Sequence, residues 1–364
     1  MKALFIAATN QNVGKTTTCL GILSGLKKRA GRVGFIKPVG QRHVEVEEGL
    51  HVDKDVALFR EHFGLTSPYD QMSPVIVPAG FTRDFLDGQV KQDHLEERIG
   101  KAYGAITSAH DFTLVEGTGH CGVGSIIGLS NADVAAKLGL EVVLVSTGGV
   151  GSAFDQLAVN RALLEARGVK VRAVILNKVL PEKREMVTEY VGKALARWGI
   201  PLAGTIPYSP LLDAPTLRDF QQLFSGELLA GEEFAYRHFF SERLIVTAGQ
   251  HYHHTPRHGE LIITHATRED IIEATLADEI AARSHPEEDL ERGLLLTGHT
   301  QPTPLMVEKM RAAKVPVLYA PVASYRAMEK IARFTAKIAR GDLCKVEKAI
   351  ELVESHLDFE VLLP

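Results

Sequence analysis

Short, nearly continuous apolar runs recur along the first 210 residues, each bounded by polar or glycine-rich turns and followed by a stretch with helical spacing. Lys2 to Ala8 predicts a buried strand and Lys15 to Arg29 a helix. Gly34-Phe35-Ile36 predicts a second strand, and a helix begins within His51 to Leu58. Arg83 to Gln92 is polar and contains glycine, which predicts a surface loop before a helix over Leu95 to Ala109. Phe112 to Val115 is an apolar strand that ends on Glu116 and glycines. Helices over Asn131 to Leu138, from Ser152 to about Ala166 and over Arg184 to Trp198 then alternate with strands at Glu141 to Val145, Val171 to Leu176 and Leu202 to Ile206. Strands that are apolar throughout and alternate with helices predict an α/β domain built on one doubly wound, mostly parallel sheet. Lys37, Glu116, Gly148-Gly149 and Asn177 fall at predicted strand ends, where open sheets of this kind form their ligand crevice.

After Pro210 the pattern changes. Leu211 to Phe240 mixes short helical segments with Gly226 and Gly231 and reads as a connection. Strands follow at Arg243 to Gly249, Glu260 to Thr264, Gly293 to Gly298 and Val315 to Tyr319. Helices are predicted over Glu269 to Ala282, Pro304 to Ala313, Ser324 to Ile338 and Leu343 to Glu354. The expected organisation is a first domain over 1–212, a linker over 213–240 and a smaller α/β domain over 241–364.

Composition narrows the partners. The chain is 45% hydrophobic with a net charge of -4, which gives no reason to expect nucleic acid or an anionic membrane as partner. Cys19, Cys121 and Cys344 form no CxxC pair, which favours a reducing, cytoplasmic setting. The apolar run at the N-terminus is too short for a signal peptide or a membrane span. His251, His253, His254 and His258 suit either a polar loop, given Pro256 and Gly259, or a metal site. His120-Cys121 invites a thiol nucleophile, but no third orienting residue is apparent.

The stretch between the first strand and the first helix carries the sharpest chemistry. Thr9-Asn10-Gln11-Asn12-Val13-Gly14-Lys15-Thr16-Thr17 ends in Gly-Lys-Thr at the mouth of a helix. Such an end offers unpaired backbone N–H groups and a partial positive charge to an anion. Gly14 lets the backbone approach a phosphate, Lys15 reaches terminal phosphates and Thr16 offers a hydroxyl to Mg²⁺. The strict P-loop pattern fails at Thr9, where it would have glycine. Asp53 and Asp55 suit the first turn of a helix, and either suits a cation. The glycines of Gly117 to Gly124 offer a second run of N–H groups.

Taken in order, these residues resemble the dethiobiotin synthetase group of P-loop enzymes, relatives of the cobyrinate and cobyric acid synthetases and of the N-terminal region of long phosphate acetyltransferases. The resemblance covers about residues 1–210. The family's Gly-Thr-Asp-Thr-Glu-Val-Gly-Lys-Thr is here Ala8 to Thr16, so Thr9 agrees while Ala8 and Gln11 depart. Lys37-Pro38-Val39, Asp55 to Leu58 and Val115-Glu116-Gly117 resemble the family's phosphate lysine, Mg²⁺ aspartate and Mg²⁺ glutamate segments. Asn177 and Ile206-Pro207-Tyr208 resemble its adenine-reading residues. The resemblance implies ATP and Mg²⁺ as cofactors. Thr9 to Thr17, Asn177, Pro207 and Tyr208 would bind nucleotide, and Thr16, Asp55 and Glu116 would hold the cation. Lys15 and Lys37 would be catalytic, and Gly117, Thr118, Gly149 and Ser152 would contact the acceptor.

The second half resembles the DRTGG domain through Thr267 to Ile271, Leu296 to His299 and Phe334 to Ile338. Its namesake motif is degraded here, with Ala266-Thr267-Arg268 for Gly-Asp-Arg and His299 for the second glycine. With 364 residues there is no room for an acetyltransferase catalytic domain beyond it, so a complete phosphate acetyltransferase is not expected. Two functions follow from the resemblance. One is an ATP-dependent ligase that activates a small carboxylate or carbamate. The other is a nucleotide-sensing regulatory module with little turnover, working with a separate acetyltransferase-type partner. A homodimer is expected in either case.

Overall fold

The computed structural model describes residues 3–246, 256–283 and 290–363. They form two compact units, Met1–Ser209 with Ile338–Pro364, and Pro210–Lys337.

The first unit is built on strands β1 (Ala3–Ala8) and β2 (Val33–Ile36), four short strands β3 (Val39–Gly40), β4 (His43–Glu45), β5 (His51–Asp53) and β6 (Val75–Ile76), then β7 (Phe112–His120), β8 (Val142–Thr147), β9 (Val171–Val179) and β10 (Leu202–Pro207). Six of them make one sheet in the order β10-β9-β8-β1-β7-β2, with every pair parallel. The chain moves outward from β1 to β2, then returns past β1 to reach β8, so the order reverses at β1. All six residues of β1 are buried, as its apolar run requires. Helix α1 (Lys15–Lys27) follows the loop after β1. Between β2 and β7, β4 and β5 pair as an antiparallel hairpin, and β3 pairs with β6. The hairpin leads directly into helix α2 (Lys54–Phe63).

The second unit holds β11 (Glu227–Ala230), β12 (Ser241–Leu244), β13 (Glu260–His265), β14 (Gly293–Thr297) and β15 (Val317–Ala320), in the order β11-β15-β14-β13-β12. Only β11 is antiparallel. Alternate residues serve two cores. Ile262, Leu294, Leu296 and Val317 pack with the helices Glu269–Arg283 and Pro304–Ala313, while Leu261, Ile263, Leu295 and Leu318 pack with Leu217–Phe224 and Ser324–Ala332.

The boundaries differ from the sequence expectation in four ways. The segment 213–240 is no linker, because Leu217, Phe220 and Phe224 recur at helical spacing on a core helix and β11 closes a sheet edge. Residues 338–364 belong to the first unit rather than the second. The helix Leu343–Glu354 lies against α1, where a Cβ on Gly21 would come within 2.2 Å of Val353 and one on Gly25 within 2.1 Å of Phe359. Two glycines four apart make a groove that admits large apolar side chains. Finally, Phe81–Leu86 is a short helix where a loop was expected from Arg83, and the helix from Ser324 stops at Ala332, short of Ile338.

Candidate functional site

The loop after β1 is held from both sides. The Thr9 N–H donates to the Val145 carbonyl at 2.9 Å, and its hydroxyl meets Ser146 Oγ at 3.0 Å and Gln156 Oε1 at 3.3 Å. Asn10, Gln11 and Asn12 are exposed, with Asn12 at φ 58°. Gly14 stands at φ +92°, a left-handed conformation that strains any residue with a Cβ. A Cβ there would also lie 2.1 Å from Asn177 Nδ2, whose amide donates to the Val13 carbonyl at 2.8 Å. Helix α1 starts with no side-chain cap and no acidic residue in its first turn. Its first N–H groups therefore face the loop, as an anion site needs.

Charged groups converge beneath this loop from three strand ends. Lys37 follows β2, Glu116 lies within β7, and Asp53 and Asp55 stand at the junction of β5 with α2. All four are buried. The Lys37 ammonium lies 2.9 Å from Asp53 Oδ1 and is also paired with Asp55 Oδ2. Thr16 Oγ1 donates to Glu116 Oε1 at 3.1 Å, and Lys15 Nζ donates to the Gly119 carbonyl at 2.8 Å.

The electrostatics follow from that packing. Burial pushes the Glu116 carboxyl up to about 7; Lys37 opposes the rise, Asp55 adds to it and Lys15 opposes it. Burial would lower Lys37, but the charges of Asp55, Glu116 and Asp53 outweigh it and raise its pKa, so its ammonium is fixed. Lys15 is lowered, by burial first, against the pull of Glu116. Burial also raises Cys121 to about 12, so this thiol is no thiolate nucleophile near neutral pH.

A divalent cation fits this donor set. Glu116 Oε2 is buried with no hydrogen-bond partner, beside a carboxylate oxygen already engaged by the Thr16 hydroxyl. An orphaned carboxylate oxygen is costly to bury and is relieved by a cation. Thr16, Asp55 and Glu116 are the residues that would hold it. Among the described residues no group of three or more His, Cys, Asp or Glu side chains forms a cation cage. Phosphate and water would supply the remaining ligands, the usual arrangement for Mg²⁺.

The other predicted contacts are less uniform. The Gly117 position is tight, since a Cβ there would lie 2.7 Å from Asn131 Oδ1. The Thr118 hydroxyl donates to the Val39 carbonyl and its N–H to Asn131 Oδ1 at 3.0 Å, so both donors are engaged within the protein. Gly149 has φ +142° just before the helix Gly151–Glu165, on which Ser152 is exposed. Pro207 and Tyr208 lie at the end of edge strand β10, where the Tyr208 N–H donates to the Val179 carbonyl at 2.8 Å.

Two amides had no sequence signal. Asn160 Nδ2 donates to the Thr9 carbonyl at 3.0 Å while its Oδ1 accepts from Cys121 N–H at 3.1 Å, so it ties the loop after β1 to the loop after β7. Asn131 likewise donates to the Thr118 and His120 carbonyls at 2.8 Å. His251, His253 and His254 lie outside the described residues, and the exposed His258 stands 3.4 Å from Glu291.

Comparison with known proteins places this geometry. The AAA domain family matches residues 2–216. The chain belongs to that family. Its AAA domain is of the dethiobiotin synthetase-like P-loop kind, and a DRTGG domain match over residues 219–334 follows it. The phosphate acetyltransferase of Pseudomonas aeruginosa is 30% identical over 379 residues, covering 100% of this chain and 52% of the relative. The ATP-dependent dethiobiotin synthetase of Anaeromyxobacter dehalogenans is 27% identical over 182 residues, covering 50% of this chain and 79% of the relative. The chain thus spans about half the length of the acetyltransferase relatives it matches. Among solved structures, the MinC:MinD cell division protein complex of Aquifex aeolicus matches with a TM-score of 0.39 and 16% identity, covering 58% of this chain and 84% of that one. No helix among the described residues is long and apolar enough to cross a membrane.

Proposed function

We propose that the AAA domain binds ATP with Mg²⁺ and transfers the γ-phosphoryl group to a carboxylate or carbamate oxygen of a small acceptor. The observation that carries this reading is the unpartnered Glu116 carboxylate oxygen, set beside the Thr16 hydroxyl and the Lys37–Asp55 pair at the mouth of α1. Nucleotide would lie along Thr9 to Thr17, with Asn177, Pro207 and Tyr208 toward the base. Mg²⁺, held by Thr16, Asp55 and Glu116, would neutralise phosphate charge. In the reaction the acceptor oxygen bonds to the γ-phosphorus, the bond to the β,γ-bridging oxygen breaks, and ADP leaves. An amine then displaces phosphate from the acyl phosphate. The protein's part is positioning and charge neutralisation, with Lys15 and Lys37 stabilising the transferring group. Gly117, Thr118, Gly149 and Ser152 would face the acceptor.

A second reading has its own support. The DRTGG domain after the AAA domain and the departures at Ala8 and Gln11 favour a nucleotide-sensing module with little turnover, related to the half of phosphate acetyltransferases that the chain matches. Release of ADP and phosphate separates the two. Turnover that rises with one acceptor out of a panel of small carboxylates and diamines with bicarbonate supports the ligase. Tight ATP binding with no acceptor-dependent turnover, and an acetyltransferase-type partner bound to the chain, supports the sensor. In both readings the protein acts as a dimer in the cytoplasm.

A further inference from the structure

We infer that Asp53 is a positioning residue of the nucleotide site: it shares Lys37 with Asp55, so that Lys37 keeps a counter-charge when Asp55 is drawn to a divalent cation. This rests on the ATP–Mg²⁺ reading above. The sequence suggests a helix cap or a cation ligand for Asp53, and it is a cap, since its Oδ1 accepts the Asp55 N–H at 3.0 Å. The same oxygen lies 2.9 Å from Lys37 Nζ.

Asp53 is fixed more firmly than a surface cap requires. It is 1% exposed, and its own N–H donates to Ser73 Oγ at 3.0 Å. Gly40 makes room for it, because a Cβ there would lie 2.7 Å from both Asp53 Cβ and Oδ2. Lys37 is fixed in turn by its N–H, which donates to the Met72 carbonyl at 2.8 Å.

The chemistry explains why a second carboxylate belongs here. A buried ion pair that loses one partner leaves an uncompensated charge at high cost. If Asp55 alone neutralised Lys37, a cation could recruit Asp55 only by stranding the ammonium. With Asp53 in place, Lys37 keeps a counter-charge when Asp55 turns away. Lys37 also stays at the strand end, where it reaches phosphate. Asp53 does not touch the reacting atoms; it acts through Lys37 and Asp55.

The test is calorimetric titration of the full chain with ATP at a series of Mg²⁺ concentrations, for wild type, Lys15→Ala, Asp53→Ser and Asp53→Asn. Serine caps a helix as aspartate does, but it is neutral and too short to hold Lys37. The expected result is that Asp53→Ser needs roughly tenfold more Mg²⁺ for half-maximal tightening of ATP, with a smaller shift for Asp53→Asn and little change in Mg²⁺-free ATP affinity. A folded Asp53→Ser protein with the wild-type Mg²⁺ requirement would reduce Asp53 to a cap and overturn the inference. If Asp53→Ser does not fold, Asp53→Asn decides, and an unchanged requirement there overturns it equally. ATP binding by wild type that ignores Mg²⁺, or that survives Lys15→Ala, defeats the underlying reading and this inference with it. That result needs no Asp53 variant, so the two failures are distinguishable.

Discussion

Both units end parallel strands in polar loops, yet the two strand-end regions differ in what they leave unmet. At the strand ends of the second unit the polar groups satisfy one another, and among the described residues its unpartnered buried carboxylate oxygen, Glu279 Oε2, belongs to a helix residue already paired with Arg292. Thr297 Oγ1 donates to the Thr264 carbonyl at 3.0 Å and meets Ser324 Oγ at 2.7 Å. The Tyr319 hydroxyl donates to the Gly298 carbonyl at 2.9 Å, His265 Nδ1 meets Thr267 Oγ1 at 2.7 Å, and Arg268 pairs with Asp270 at 2.8 Å. In the first unit Lys37, Asp53, Asp55 and Glu116 are all buried, and Glu116 retains an oxygen with no partner. A shared layout therefore does not imply a shared function. What sets the first unit apart is an unmet carboxylate oxygen among three further buried charges where parallel strands run out, carried at the expense of stability.

The largest expected effect that could break this contrast is on binding. Lys15→Ala should weaken ATP by about 4 kcal/mol, roughly a thousandfold, because a charged donor to phosphate is lost. Its unfolding midpoint in urea should not fall, since the lysine is held desolvated in the free protein.

The next effect is on stability against pH without nucleotide or Mg²⁺. Glu116 is raised from an ordinary 4.5 to about 7 in the folded chain. The folded state then binds the proton that the unfolded state releases, so this group's contribution is full below about pH 4.5 and is lost as pH rises through about 7. Through this window wild type should lose about 3 kcal/mol that Glu116→Gln does not. Denaturant unfolding of both proteins from pH 4.5 to 8 checks the difference, and parallel curves would remove the strain assigned to Glu116.

A smaller effect tests which unit owns the C-terminal segment. Gly21→Val drives a side chain into Val353 and should cost about 2 kcal/mol through overpacking. The loss should appear in the transition that ATP protects. The smallest effect is the control in the second unit. Arg268→Ala breaks an exposed pair and should cost less than about 1 kcal/mol. Equilibrium titration should find its ATP affinity unchanged.

How much of this could be read from the sequence depended on distance along the chain. The β1–loop–α1 segment was legible because an apolar run, a glycine and Lys-Thr are neighbours. Lys37 and Glu116 were legible as polar residues after apolar runs, although β7 continues past Glu116 to His120. Asp53 was legible as a cap or a cation ligand because both rest on its place before a helix; its ion pair with Lys37 depends on how the hairpin of β4 and β5 folds back, which no short-range pattern encodes. Asn160 and Asn131 were missed for the same reason, as amides within helical patterns whose partners lie on other loops. The helix over Leu343 to Glu354 was legible, but not that Val346, Ala349 and Val353 form its buried face nor what they pack against. The only local trace of that partner was Gly21 and Gly25, which read as ordinary helix residues until the structure filled the groove between them.

Calorimetric titration of ATP with Mg²⁺ into the full chain, run beside Lys15→Ala and Arg268→Ala, decides which unit holds the nucleotide. One ATP should bind per chain at micromolar strength or better, about 8 kcal/mol, with binding abolished by Lys15→Ala and unchanged by Arg268→Ala. Binding that persists in Lys15→Ala but falls in Arg268→Ala would contradict this, and would move the nucleotide site to the second unit.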